Sequence, residues 1–195
     1  MGPPKEITTR TDTEVVEATL SERNNFGEII DRYEAKLRRY LIRLGVRSGE
    51  DQADVLQEIF IKVYKNLNSF DRSLAFSSWI YRIAHNETMS WFRRRQVRPE
   101  GNLVADSEEV LGLMESKMDT PDIAFDRAVS IEEVTVALTK LDAKYQEVLV
   151  LRFFEHKEYD EISDILQIPI GSVGTLIHRG KKQLYTVLNH DAVRI

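Results

Sequence analysis

Tyr159-Asp160-Glu161-Ile162-Ser163-Asp164-Ile165-Leu166 reads as a short helix, Gln167-Ile168-Pro169-Ile170-Gly171 as a tight break, and Ser172 to Leu188 as a longer helix. A short helix, a brief turn and a longer helix is helix-turn-helix spacing, the arrangement that lays its second helix in the DNA major groove. That second helix divides by face. Val173, Ile177, Gly180 and Leu184 recur at helical spacing and face inward; Ser172, Thr175, His178, Arg179, Lys181 and Lys182 face outward. Three bases and no acid lie between Ile170 and Leu188, in a chain of formal net charge −5. Such a segment on an acidic protein is a local footprint for phosphates. The competing reading is a surface helix whose cationic end complements its own dipole.

Working back from this motif, Ile131, Val134, Ala137, Leu138 and Leu141 share one helical stripe. Tyr145 to Phe153 forms a second helix too apolar to lie on a surface. Before it, Pro99 to Glu133 carries ten acids against Lys117 and Arg127, a formal charge of −8. This stretch is the expected linker, with a short docking helix over Val110 to Met118.

The first half is helical as well. Phe26, Ile29, Ile30, Tyr33, Leu37, Tyr40, Leu41 and Leu44 step by threes and fours, and Gly45 ends the run. Ser48-Gly49 is a turn. Val55, Leu56, Ile59, Phe60, Val63, Tyr64 and Leu67 mark the next helix. Beside its stripe lie Asp54, Gln57, Glu58 and Lys62, either a solvated face or a docking surface for an arginine-rich helix. A loop at Asp71 to Ala75 leads to a third helix, Phe76 to Gln96, ending in Arg93-Arg94-Arg95. That helix and its flank combine Trp79, Tyr81, Trp91 and Phe92 with Arg82, the three terminal arginines and Arg98. Aromatic rings with guanidinium groups suit splayed single-stranded bases; the plainer reading puts both tryptophans in the core.

Composition agrees with an all-α chain. Only 9 Gly and 5 Pro occur in 195 residues, so turns are few. No cysteine is present, which excludes disulfide frameworks, thiolate metal sites and cysteine nucleophiles. The four histidines lack ligand spacing, no Gly-rich phosphate loop or nucleophile elbow occurs, and an enzyme is not expected. Glu155, His156, Glu158, Asp160 and Glu161 cluster near a turn, a pattern more often solvated than metal-bound. No stretch approaches the ~20 apolar residues of a membrane span, and a cytoplasmic protein is expected.

Four pieces, in order, resemble bacterial RNA polymerase sigma factors of the extracytoplasmic-function (ECF) group. They are Asp54-Val55-Leu56-Gln57-Glu58-Ile59-Phe60, Phe76-Ser77-Ser78-Trp79-Ile80-Tyr81-Arg82-Ile83-Ala84-His85-Asn86, Tyr159-Asp160-Glu161-Ile162, and Ile170 to Val173 with His178 to Leu184. The resemblance implies two small helical domains, a region-two bundle and a region-four helix-turn-helix, joined by an acidic linker. The N-terminus is polar, and a disordered segment is expected at 1–20; the resemblance implies region two at 21–98, the linker at 99–130 and region four at 131–190.

It also implies partners and roles. RNA polymerase core would be held through the clamp helices of its largest subunit and the flap of the second-largest. Asp54, Gln57, Glu58, Phe60 and Lys62 would dock on the clamp. Phe70, Asp71, Ser73, Phe76, Ser77, Arg82, Asn86, Arg93, Arg94 and Arg95 would bind the promoter minus-ten element, with a non-template base flipped into the loop from Phe70 to Ser77. Gly171, Ser172, Gly174, Thr175, His178, Arg179, Lys181 and Lys182 would bind the minus-thirty-five element. The linker would thread the polymerase cleft, an anti-sigma factor is an expected regulator, and no cofactor or metal is implied. The sequence departs from the family pattern at Gly174 and Leu176, where relatives carry cations. A sigma mimic that binds an anti-sigma factor and reads DNA weakly is the alternative.

Overall fold

The computed structural model describes residues 10–95 and 130–192. The expected linker, apart from Ser130, and Arg98 lie outside the described residues, as does the short helix expected over Val110 to Met118. Every described element is helical.

Four helices make the first domain: α1 (Asp12–Ser21), α2 (Phe26–Leu44), α3 (Gly49–Asn66) and α4 (Phe76–Arg95). α1 corrects the expectation of disorder up to residue 20. Thr11 and Glu14 form a reciprocal capping box, the Thr11 N–H donating to Glu14 Oε2 at 2.6 Å and the Glu14 N–H to Thr11 Oγ1 at 3.3 Å. Val15, Val16 and Thr19 are buried. Asp12 accepts from Arg32 at 3.0 Å and from the Tyr33 hydroxyl, tying α1 to α2.

α2 ends at Gly45, whose φ of 107° is the left-handed value that glycine tolerates without a Cβ clash. Ser48 caps α3. The stripe of Ile29, Tyr33, Leu37 and Tyr40 packs with Val55, Ile59 and Val63 from α3 and with Ile80 and Ala84 from α4. His85 is buried beside the Tyr40 hydroxyl, and desolvation pulls its pKa down to about 4.

The second domain holds α5 (Ile131–Leu138), α6 (Ala143–Leu149), α7 (Tyr159–Leu166) and α8 (Ile170–Ala192). The single helix expected from Tyr145 to Phe153 is instead α6 followed by a π-type turn over Val150–Phe154. α8 starts at Ile170, two residues before the expected Ser172. Pro169 lacks an N–H and its fixed φ suits the start of a helix, and its carbonyl accepts the Ser172 N–H at 2.8 Å. The turn is therefore three residues, 167–169, entered through Gln167 at φ 55°. A Cβ on Gly180 would lie 3.2 Å from Leu149 and Tyr145, so this glycine lets α8 approach α6 closely.

The two domains pack on each other, α4 against α7 and α2 against the π-type turn, and their buried apolar residues form one cluster.

Candidate nucleic-acid interface

Three surfaces stand out. On α3, Asp54, Gln57 and Glu58 are all exposed, and Ile61 (38% exposed) and Tyr64 (40%) extend the same face. Ile61 lies seven residues after Asp54, a spacing that places it on this stripe. Lys62 is exposed and ion-paired with Glu87 of α4. Phe60 is 8% exposed and meets Phe26 edge-on, which holds α3 in place.

The second surface is the loop at 71–75. Its ends are fixed by Phe70 and Phe76, whose rings lie 5.4 Å apart and 5.3 and 5.6 Å from Trp79. Both phenylalanines are buried and form the pedestal of the loop. Trp79 is half-buried, packed against the core and not within it, whereas Trp91 is buried. Asp71 accepts from the Ser73 N–H at 2.9 Å and from its hydroxyl at 2.8 Å. These bonds pull the Asp71 carboxyl below its ordinary range and shape the loop as an Asx turn, leaving Leu74 54% exposed. One helical face further, Asn86 is exposed. At the end of α4, Arg93 and Arg94 are exposed; Arg93 donates to Ser90 Oγ, and Arg95 pairs with Asp51 at 2.7 Å and stacks on Trp91.

Two expected members of this surface are engaged by the other domain. Ser77 Oγ accepts from Lys157 Nζ at 2.7 Å. Arg82 donates to Asp164 Oδ1 at 3.2 Å and to Gln167 Oε1 at 3.0 Å. Three acids near the turn at 155–161 are also engaged. Glu155 binds Arg43 and Tyr81, Glu158 pairs with Arg152 at 2.9 Å, and Glu161 accepts from Lys157 and Ser78.

The third surface is the outward face of α8. Gly171, Thr175, His178, Arg179 and Lys182 are exposed, and Ser172 and Gly174 are half-exposed. A Cβ at Gly171 would meet nothing within 4 Å, so the backbone at the helix start is open. Lys181 is half-buried, its ammonium over the Phe153 ring at 5.7 Å. Val173 and Ile177 are buried, as the face pattern required.

An all-helical chain with a helix-turn-helix at one end and an exposed acidic stripe at the other has the parts of a DNA-binding transcription factor. The Sigma-70 region 2 family matches residues 29–98, and the Sigma-70, region 4 family matches residues 131–184. The chain is 34% identical over 168 residues to the ECF RNA polymerase sigma factor SigW of Bacillus subtilis, covering 84% of this chain and 88% of that protein. It is 30% identical over 178 residues to an ECF RNA polymerase sigma-E factor of Haemophilus influenzae, covering 89% and 93%. The chain belongs to the ECF sigma factors of bacterial RNA polymerase. Its function is therefore to recruit polymerase core to a promoter and initiate transcription, and a sigma mimic that reads DNA poorly is not favoured. Among solved structures the fold resembles CnrH in complex with the cytosolic domain of CnrY, with a TM-score of 0.67 and 23% identity over 92% of this chain and 98% of that one. It also resembles the sigma factor RpoE in complex with the anti-sigma factor NepR from Bartonella quintana, with a TM-score of 0.62 and 19% identity over 85% and 97%.

Proposed function

We propose that Asp54, Gln57, Glu58 and Ile61 dock on the clamp helices of the polymerase's largest subunit, with Lys62 at the edge of the contact. The supporting observation is the coincidence of exposed acids with an exposed apolar residue on one helix face. Charge then steers the encounter with a basic helix while Ile61 supplies apolar contact.

The loop at 71–75 captures a flipped minus-ten base, bounded by Asp71 and Ser73 and carried on the Phe70–Phe76–Trp79 pedestal. Taking the base out of the stack stabilises an open duplex without a motor. Asn86 borders that pocket, and Ser77, Arg82, Arg93, Arg94 and Arg95 hold the strand's phosphates. α8 enters the minus-thirty-five major groove, with Gly171, Ser172, Gly174, Thr175, His178, Arg179, Lys181 and Lys182 toward DNA. Region two spans 21–98 and region four 131–190, the latter also meeting the polymerase flap; 99–130 joins them. The protein acts in the cytoplasm, carries no catalytic activity of its own and is held in check by an anti-sigma factor. Supporting these readings are the anti-sigma complexes of the similar structures and the lack, among the described residues, of a helix long and apolar enough to cross a membrane. Transcription from a cognate promoter by purified core with and without the chain is the test. Core binding without promoter-dependent RNA would remove the assignment of the DNA surfaces.

A further inference from the structure

We infer that Lys62 acts in promoter opening as a positioning residue: its ion pair with buried Glu87, together with the Tyr40–His85 contact, fixes the turn of α4 that carries Asn86. This rests on the reading of Asn86 just given.

α4 changes character at that turn. Before it the helix is held by Phe76, Ile80 and Tyr81 and after it by Trp91, all large and buried. Between Ala84 and Trp91 the buried positions are His85, Glu87 and Thr88, all polar. Thr88 Oγ1 donates to the Ala84 carbonyl at 2.7 Å, within its own helix. His85 and Glu87 instead reach out of α4. The Tyr40 hydroxyl of α2 meets His85 Nδ1 at 3.4 Å. Glu87 Oε1 accepts from Lys62 Nζ of α3. Exposed Asn86 stands between these two residues in the chain, so its neighbours on either side tie it to α2 and to α3.

Such ties differ from apolar packing in what they permit. Burial of apolar surface is non-directional, and a helix held by it alone can turn or slide slightly at little cost. A hydrogen-bonded ion pair sets a distance and an angle. The Glu87 side chain is 6% exposed and that of Lys62 is 48% exposed. Lys62 can therefore return to water, whereas Glu87 cannot without a movement of α4. A buried carboxylate deprived of its cation is strongly disfavoured, so every displacement of this turn that withdraws Glu87 from Lys62 is resisted. The docking helix and the helix that bears Asn86 thus share one directional bond, and Asn86 keeps a fixed place relative to α3.

The test follows permanganate reactivity of minus-ten thymines with preformed holoenzyme at saturation, so that core affinity does not enter. Lys62→Met should slow opening of a linear promoter about tenfold, or about 1.4 kcal/mol, and should affect a pre-melted template less. Adding Glu87→Leu removes the stranded charge, so the double variant should open no more slowly than Lys62→Met alone. Glu87→Gln, which keeps an oxygen for Lys62, should open faster than Glu87→Leu. In an Asn86→Ala background, Lys62→Met should slow opening no further. Half of Lys62 is exposed, so Lys62→Met should fold, and denaturant midpoints check this. Opening at the parent rate by Lys62→Met, an equal loss on both templates, a double variant slower than either single one, or a further loss on top of Asn86→Ala overturns the positioning role. Asn86→Ala itself opening at the parent rate would instead remove the reading of Asn86 on which that role rests.

Discussion

Arg43 and Glu155 stand 112 positions apart in the chain and meet at 2.8 Å in a site that leaves them 8% and 7% exposed. Desolvation lowers the Arg43 pKa, and Glu155 together with the Phe154 ring compensates the buried charge. Removing one partner of such a pair costs about 3–5 kcal/mol if the other stays buried. Separating the domains avoids that cost by hydrating Arg43. Glu155→Gln should therefore convert one calorimetric unfolding transition into two. Arg43→Met with Glu155→Leu, which removes both charges, should keep a single transition within about 2 kcal/mol of the parent. One unchanged transition for Glu155→Gln would mean that the pair does not couple the domains.

The α3 stripe gives a second expectation. Asp54→Arg with Glu58→Arg places two cations where an arginine-rich helix is expected, and both positions are exposed, so the fold should survive. Core affinity should fall at least ~100-fold, about 2.7 kcal/mol. Ile61→Ser alone should weaken binding without altering its salt dependence, since it removes apolar contact and no charge. Titration of labelled chain with core polymerase at two ionic strengths checks both.

These expectations depend on residues that differ in how visible they are in the sequence. The helices α2, α3, α4 and α7 follow from apolar steps of three and four, because each buries one stripe. α1 carries only Val15 and Val16 as a buried apolar pair, too short for periodicity; the Thr11-x-x-Glu14 capping box was the available signal. Phe60, Phe70 and Phe76 belong to family motifs that mix side chains facing a partner with side chains that hold the helix. Only burial separates them. The bonds of Glu155, Lys157 and Asp164 to the first domain have no local signature, since pairing over that separation leaves no period in the chain.

Asn86 is exposed on α4, so Asn86→Ala should leave stability within ±0.5 kcal/mol. Its effect should fall on promoter opening, slowing it about tenfold, or about 1.4 kcal/mol, with little change in initial duplex binding. Permanganate reactivity of minus-ten thymines on linear and pre-melted templates reports this. An equal response on both templates would remove Asn86 from melting and capture.

Glu147 of α6 is half-buried near Tyr40, and desolvation raises its pKa to about 7. The folded state then binds a proton that the unfolded chain releases near pH 4.5, so this group's stabilisation is full below that pH and is lost as pH rises toward 7. His85 acts in the opposite sense: neutral in the fold down to about pH 4, it adds stability as pH rises toward 6.5. The two nearly cancel across the shared window. Glu147→Gln should expose the His85 slope, so stability rises with pH between about 4.5 and 6.5, and the variant gains at most about 3 kcal/mol over the parent at pH 7. Denaturant midpoints across that range measure it, and parallel curves for parent and variant would dismiss the Glu147 contribution.

α8 should rely on backbone and phosphate contacts more than on side-chain base readout. Gly174 and Leu176 place no cation on this part of the helix, and the open backbone at Gly171 suits a phosphate at the helix start. Phosphate contacts position a protein without specifying sequence. Arg179→Ala and Lys182→Ala, at exposed positions, should weaken all promoters alike and each reduce the salt slope by roughly 0.9. Lys181→Ala should also remove a cation–ring contact, since its ammonium lies over Phe153. A Cβ at Gly174 would meet the Tyr159 ring at 3.4 Å, an ordinary contact. Gly174→Ala should therefore stabilise the helix by about 0.5–1 kcal/mol while weakening promoter affinity, since Gly174 faces DNA in the proposed complex. A good bidentate base contact is worth about 1–3 kcal/mol, and single base changes at minus thirty-five should cost less than that. Binding to a saturation series of minus-thirty-five variants at two salt concentrations is the measurement. Several positions each costing more than about 2 kcal/mol would instead assign direct base readout to Thr175 and His178.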